Sequence, residues 1–335
     1  MAGHSTPLLD RARRGLALAI IVFLNLWATA ALAFDLQTRA AILYAVAITS
    51  LLVGLKIHWR AMAFCLCAFA GVLVWWLSLK PSNHRVWQPD VGETPWAEIN
   101  RDQVTIHNLR NCDYRSEGDY TPHWENRTYD LSKLRAVDLF LVHWGSPWIA
   151  HPIVSFDFGD QGHVAMSIET RKEAGESYSA LRAFFRYYEL IYVISDERDV
   201  VRLRSNYRQN EDVYLFRTTV TPGQGRLIFL DSLRRASQLR DHPEWFNALT
   251  NNCTTNLLAH VANSGHANPS PWDWRILLNG HADEMFYEQG DLAGNLPFAE
   301  LKRRALINPA AHAAQQAADF SERIRAGRPG FGPMP

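Results

Sequence analysis

The chain has 335 residues, 34 of them Lys or Arg against 34 Asp or Glu, and so carries no net formal charge. That balance excludes both the basic surface of a nucleic-acid binder and an acidic tail, and nucleic acid is not expected as a partner. The cysteines, Cys65, Cys67, Cys112 and Cys253, do not make a disulfide framework, because the first two lie in an apolar run and only the others fall in the more polar remainder.

Residues 1–14 carry Arg11, Arg13 and Arg14 and are expected to be cytoplasmic. The uncharged run 15–34 is long enough, at about 1.5 Å per residue, to cross a hydrocarbon core of about 30 Å. An alternative is a cleaved signal, with the arginines as its basic region and Ala31-Leu32-Ala33 as the cleavage site. Further spans are predicted at 40–55 and 61–79, the latter placing Trp75 and Trp76 at the aromatic belt. Lys56 and Arg60 fall on the side of the N-terminal arginines, against only Arg39 in the intervening loop. By the positive-inside rule, everything after Lys80 then lies outside the cytoplasm, whether or not the first span is cleaved. The expected location is a bacterial inner membrane, multi-pass, with the globular domain in the periplasm. Asn25, the one strongly polar side chain within a span, is expected to bond a neighbouring helix.

Three prolines and little apolar periodicity make 80–95 read as a linker, so that the domain runs over 96–305. Strand patterns occupy 103–109, 137–144, 152–158, 163–170, 189–194 and 212–218; helical patterns occupy 178–185 and 223–240. The stretch Gly159-Asp160-Gln161-Gly162 turns one strand back on the next. An α+β domain with an antiparallel sheet results, preceded by a three-helix membrane segment. Residues 306–335, Ala-rich and then Gly/Pro-rich, read as a frayed helix and a disordered tail.

Chemistry gathers at Asn251-Asn252-Cys253, where asparagines suited to capping open a helix. A thiol at a helix start feels unsatisfied N–H groups and the positive end of the macrodipole, which favour the nucleophilic thiolate. Its base is expected to be His163, which begins a strand on the face shared by Ala165 and Ser167. Glu169 shares that face but stands about 20 Å of strand from His163, so Asp196, returning on the neighbouring strand, is preferred as the orienting acid. Tyr114 and Arg115 are candidates to position a polar head group, and Asn252 to contact substrate. A structural salt-bridge network is the alternative for the first two. Trp144, Trp148, Trp272 and Trp274 read either as a surface for lipid or as core aromatics. A buried core thiol, or a Cys112–Cys253 disulfide, is the competing reading of Cys253. His123, His143, His151 and His163 show no metal-ligand spacing, and no phosphate loop or dinucleotide motif occurs, so neither metal nor cofactor is expected.

The segments WAEINRDQVTIHNLRNCDYRSEGDYTP, RTYDLSKLRAVDLFLVHWGSP, HVAMSIETRKE, YYELIYVISDERDVVRLRSN and NALTNNCTTNLL resemble the Lnb N-terminal periplasmic domain family. Its namesake is a bacterial lipoprotein N-acyltransferase, whose membrane segments follow the soluble domain, whereas here they precede it. The order of a His and then Asn-Cys opening a helix is also similar to the permuted papain-like (NlpC-type) enzymes, which include lecithin:retinol acyltransferase. The resemblance implies Cys253 as nucleophile, His163 as base, an acyl thioester, and a lipid or lipoprotein substrate at a membrane. Amidase action on cell-wall peptides, or a tethered binding module without catalysis, are the alternatives the sequence leaves open.

Overall fold

The computed structural model describes residues 7–54, 58–267, 269–270 and 272–332. The chain divides into two compact units: residues up to Pro81 together with Ser179–Tyr188, and Ser82–Tyr178 together with the chain from Glu189 on.

The first unit holds helices α1 (Pro7–Asp35), α2 (Thr38–Gly54) and α3 (Trp59–Ser78). Two of these, over Arg11–Asp35 and Trp59–Ser78, are long and apolar enough to cross a membrane. The intervening α2 is apolar but has only 17 residues, about 25 Å of helix. Lys56, used above to orient the spans, lies outside the described residues. Tyr44 of α2 donates to the Asn25 side-chain oxygen of α1 at 2.5 Å, the helix-to-helix bond expected of an amide in an apolar span. The segment 179–188 belongs to this unit: Phe185 packs its ring on Trp27 and Phe34, and Trp76 donates to Asp35 at 2.7 Å. The helix predicted over 178–185 is only a short turn at Arg182–Phe184. Its aromatic and Leu side chains belong to a loop rather than a helical stripe.

The second unit is α+β and is built on one mixed sheet. Its strands are β1 (Trp96–Asn100), β2 (Gln103–Arg110), β5 (Trp124–Asp130), β6 (Ala136–Trp144), β7 (Ala150–Asp157), β8 (His163–Arg171), β9 (Glu189–Ser195) and β10 (Glu211–Arg217); a separate hairpin pairs β3 (Asp113–Tyr114) with β4 (Tyr120–Thr121). The strand order is β1-β2-β9-β8-β7-β6-β10, with β5 on β2. Every pairing in the sheet is antiparallel except the parallel step from β2 to β9. The β7–β8 hairpin turns through Gly159 (φ +63°) and Gly162 (φ +82°), backbone that side-chain-bearing residues rarely adopt.

Helices cover both faces. α5 (Pro222–Asp241) and α6 (Cys253–Asn263) pack against one, where Phe229 meets Phe156 and Phe158. On the other, α4 (Glu197–Arg202) and the C-terminal segment bury Val200, Val201, Ile307, Ala311, Phe320 and Ile324 against Phe140, Ile153 and Ala165. Two expectations are corrected here. Residues 306–332 are core rather than tail: Arg325 donates to Asp138 at 2.9 Å and to Glu197 at 2.6 Å, all three buried. The composition missed this because every third or fourth residue, not the average one, is apolar. Nor is 82–95 a loose linker. Asn83 bonds the end of α5, Arg171 stacks on Trp87, and Val91 packs on Ile191 and Val193. Proline excludes helix and central strand from such a stretch, but not burial.

Candidate functional site

The end of α6 that carries Cys253 is built by its cap. Asn252 accepts from the Thr255 amide at 2.9 Å, and Thr255 returns a bond to the Asn252 amide, closing a capping box. Among the described residues the amides of Cys253 and Thr254 have no acceptor, so two N–H groups point out of the helix start beside the sulfur.

His151, on β7, is the imidazole that meets this thiol. Its Nε2 lies 2.6 Å from the Ser167 hydroxyl and 3.1 Å from the Glu169 carboxylate, both on the paired strand β8. Ser167 donates to Glu169 at 2.6 Å, and Arg204 donates to the same carboxylate oxygen at 3.0 Å. The arrangement follows from the hairpin register, which pairs Asp157 with His163 and Ile153 with Ser167 and so carries His151 opposite Glu169. Burial opposes charge on the imidazole, but Glu169 and the Cys253 thiol outweigh it and push its pKa up to about 9. Burial also opposes charge on Glu169, yet His151 and Arg204 hold its carboxyl well below the usual range. Glu169 thus favours the charged form of the ring, the form it takes once it has accepted the thiol proton.

One residue joins the two halves of the site. Asn279 donates to Thr254, next to Cys253, at 2.8 Å, and accepts from the amide of Ala150, next to His151, at 2.9 Å. Its neighbour Gly280 bonds Trp148 O at 3.0 Å, and a Cβ there would stand 2.1 Å from Pro147 O, so only glycine permits the approach.

Cys253 lies on the border of two environments. On one side is a cleft of about 500 Å³ whose lining includes His151, Glu169, Lys172, Arg204, Arg208 and Glu211. Behind the thiol is an apolar seam between sheet and helices, lined by Val154, Met166, Ile168, Ile228 and Leu257.

The other sequence-predicted residues are placed elsewhere. His163 begins β8, about 13 Å of strand before Ser167, and among the described residues both its ring nitrogens are buried without a hydrogen-bond partner. Its nearest carboxylate is Asp157 at 3.9 Å, so the base expected from the sequence is not brought to the thiol. Asp196 caps α4 through the Arg198 amide and binds Arg127 at 3.0 Å, which makes it structural. Tyr114 is buried with Cys112 and Leu203, and Arg115 pairs with Asp119 in an exposed turn, so neither lines the cleft. Asn252 acts as the cap. Cys112 is a free thiol that burial, with Asp199 beside it, pushes up to about 11, and it is not bonded to Cys253.

The residue the sequence reading passed over is His151, and the signal was present. Pairing across the Gly-containing turn keeps a constant sum of residue numbers, and that sum matches His151 to the Glu169 set aside as too far from His163.

No curated protein and no solved structure matches the chain. A match to a family model covers residues 120–280, a span that contains His151, Glu169, Cys253 and Asn279. With the two apolar N-terminal helices, this match fits a membrane protein carrying a periplasmic domain. The family whose model residues 120–280 match is the Lnb N-terminal periplasmic domain.

Proposed function

We propose that the protein is a membrane-anchored thiol enzyme that transfers or hydrolyses acyl groups of lipids or lipoproteins through a thioester on Cys253, in a permuted papain-like site held on the periplasmic side of a bacterial inner membrane by several spans. The observation that carries this reading is the Cys253 thiol beside His151, whose Nε2 is held by Glu169 and Ser167.

Nε2 is engaged, so Nδ1 is the nitrogen that takes the thiol proton. The thiolate attacks the ester carbonyl, and the amides of Cys253 and Thr254 receive the charge that develops on its oxygen. Collapse breaks the C–O bond, and the imidazolium returns the proton to the departing alkoxide. An amine or a water, deprotonated by the same ring, then attacks the thioester and releases the thiol. Glu169 keeps the ring oriented through both half-reactions and stabilises its charge whenever it holds the proton.

The apolar helices of the same chain favour an acyl substrate over a soluble cell-wall peptide, because a tether to the bilayer holds the thiol where lipids are concentrated. The test is intact-protein mass spectrometry after incubation with diacyl lipid in proteoliposomes. An acyl adduct on Cys253 is expected in wild type and absent in Cys253→Ala, with lipid deacylation falling to background in the latter. Cleavage of soluble muropeptides without any adduct would put the amidase in its place. A Cys253 that resists alkylation in the reduced folded protein would leave a binding module.

A further inference from the structure

Of the four tryptophans singled out in the sequence, three stand at the surface. Trp272 is 92% exposed, Trp274 52% and Trp148 50%, and the loop continues with Leu277 at 60% and Leu278 at 39%. These are not scattered side chains. The Trp148 and Trp274 rings lie 6.2 Å apart, and the His281 ring packs against both, at 5.0 and 5.3 Å. Tryptophans this exposed, two of them packed together and the third on the same loop with two exposed leucines, present apolar surface of the kind that marks interaction sites.

The charges within the loop are already matched. Arg275 is paired to Asp273 and to Glu288, each at 2.8 Å, so among the described residues of the loop no unpaired Asp, Glu, Lys or Arg specifies a charged protein partner. An indole, apolar in body and able to donate from one edge, suits the head-group level of a bilayer. The same chain carries the apolar helices that keep a membrane within its reach.

The patch is also joined to the site. The loop ends in Asn279 and Gly280, the residues that bond Thr254, Ala150 and Trp148, so it shares one joint with both Cys253 and His151.

We propose that Trp148, Trp272 and Trp274, with Leu277 and Leu278, form an interfacial surface through which the domain engages the lipid bilayer, next to the Asn279–Gly280 joint that links the loop to its site. Its role in turnover rests on the acyl-transfer reading above; the surface itself does not. The surface brings the scissile ester of a lipid still seated in the bilayer to the thiol, whereas a monomeric ester in solution does not need it.

The experiment uses the full chain in proteoliposomes, wild type against Trp272→Gln, Trp274→Gln and the double variant. Lipids brominated near the head group should quench wild-type tryptophan fluorescence more than that of the double variant, the difference being the signal of the two loop indoles. Turnover of bilayer-borne diacyl lipid should fall about tenfold for each tryptophan removed, while turnover of a monomeric short-chain ester stays unchanged. Trp272→Gln alone disturbs no packing, so a folding defect in the double variant does not leave the idea without a test. Equal losses on both substrates, or loop indoles that brominated lipid does not quench, would overturn it. So would protection of those indoles by a protein partner in place of lipid. Should wild type turn over neither substrate, the acyl-transfer reading fails, and the quenching still decides the surface.

Discussion

At the scale of single residues, the behaviour of the site turns on one imidazole whose charge is held by a carboxylate. Folding raises His151 from about 6.5 to about 9, so its contribution to stability is complete below about 6.5 and disappears as pH rises through about 9. Glu169 is lowered from 4.5, so its contribution is present above that value and is lost as pH falls through its depressed one. In the proposed acyl transfer the imidazolium is the form that protonates the leaving alkoxide. kcat/KM is therefore expected to fall as pH rises through about 9, and Glu169→Gln, which removes the charge holding the proton, should move that limb to lower pH. A limb that stays in place in the Gln variant would separate Glu169 from the titration. The sequence made half of this site legible. Cys253 declares itself through the capping residues before it, a local signal. His151 does not, because a strand histidine acquires its meaning only from what the register sets opposite.

At the scale of elements, the β7–β8 hairpin and the start of α6 are separate pieces, and the accuracy of their meeting depends on the 279–280 joint. Asn279→Ala deletes the bonds to Thr254 and to Ala150 while removing nothing from the cleft lining. Misplacement of a reacting group by about 1 Å can cost about 100-fold. The variant is expected to lose tenfold to 100-fold in kcat with little change in KM, measured on the same lipid substrate; a change confined to KM would instead assign Asn279 to binding. Six strands and α5 were readable from periodicity to within a residue or two, because each is long and has one continuous pattern. The helix predicted over 178–185 failed because aromatic and Leu residues spaced for a helix served a loop packed on Trp27 and Phe34.

For the whole molecule, the C-terminal segment completes the core face that the sheet leaves open. Arg325 meets both Asp138 and Glu197, two carboxylates with no solvent access, and Glu197 also accepts from Ser155 at 2.5 Å. Arg325→Leu takes from Glu197 its paired arginine and leaves Asp138 with Arg217 alone, and breaking a buried pair costs about 3–5 kcal/mol. A matching drop in the denaturant midpoint of the globular unit is expected; an unchanged midpoint would mean that the two carboxyls are protonated and need no partner. Sequence reading could not see this, since the contact joins residues 187 apart.

The excursion at 179–188 has its own consequence. The chain leaves the sheet after β8, contributes Phe185 to the helical unit, and returns as β9, which lies beside the strand bearing Glu169. The two units are thus stitched by three passages of polypeptide rather than hung on one tether. Proteolysis between them near Pro81 would sever only the first stitch. The globular part so cut would still carry the 179–188 segment with its exposed Leu181, and is expected to stay with detergent or lipid as though the cut had never been made.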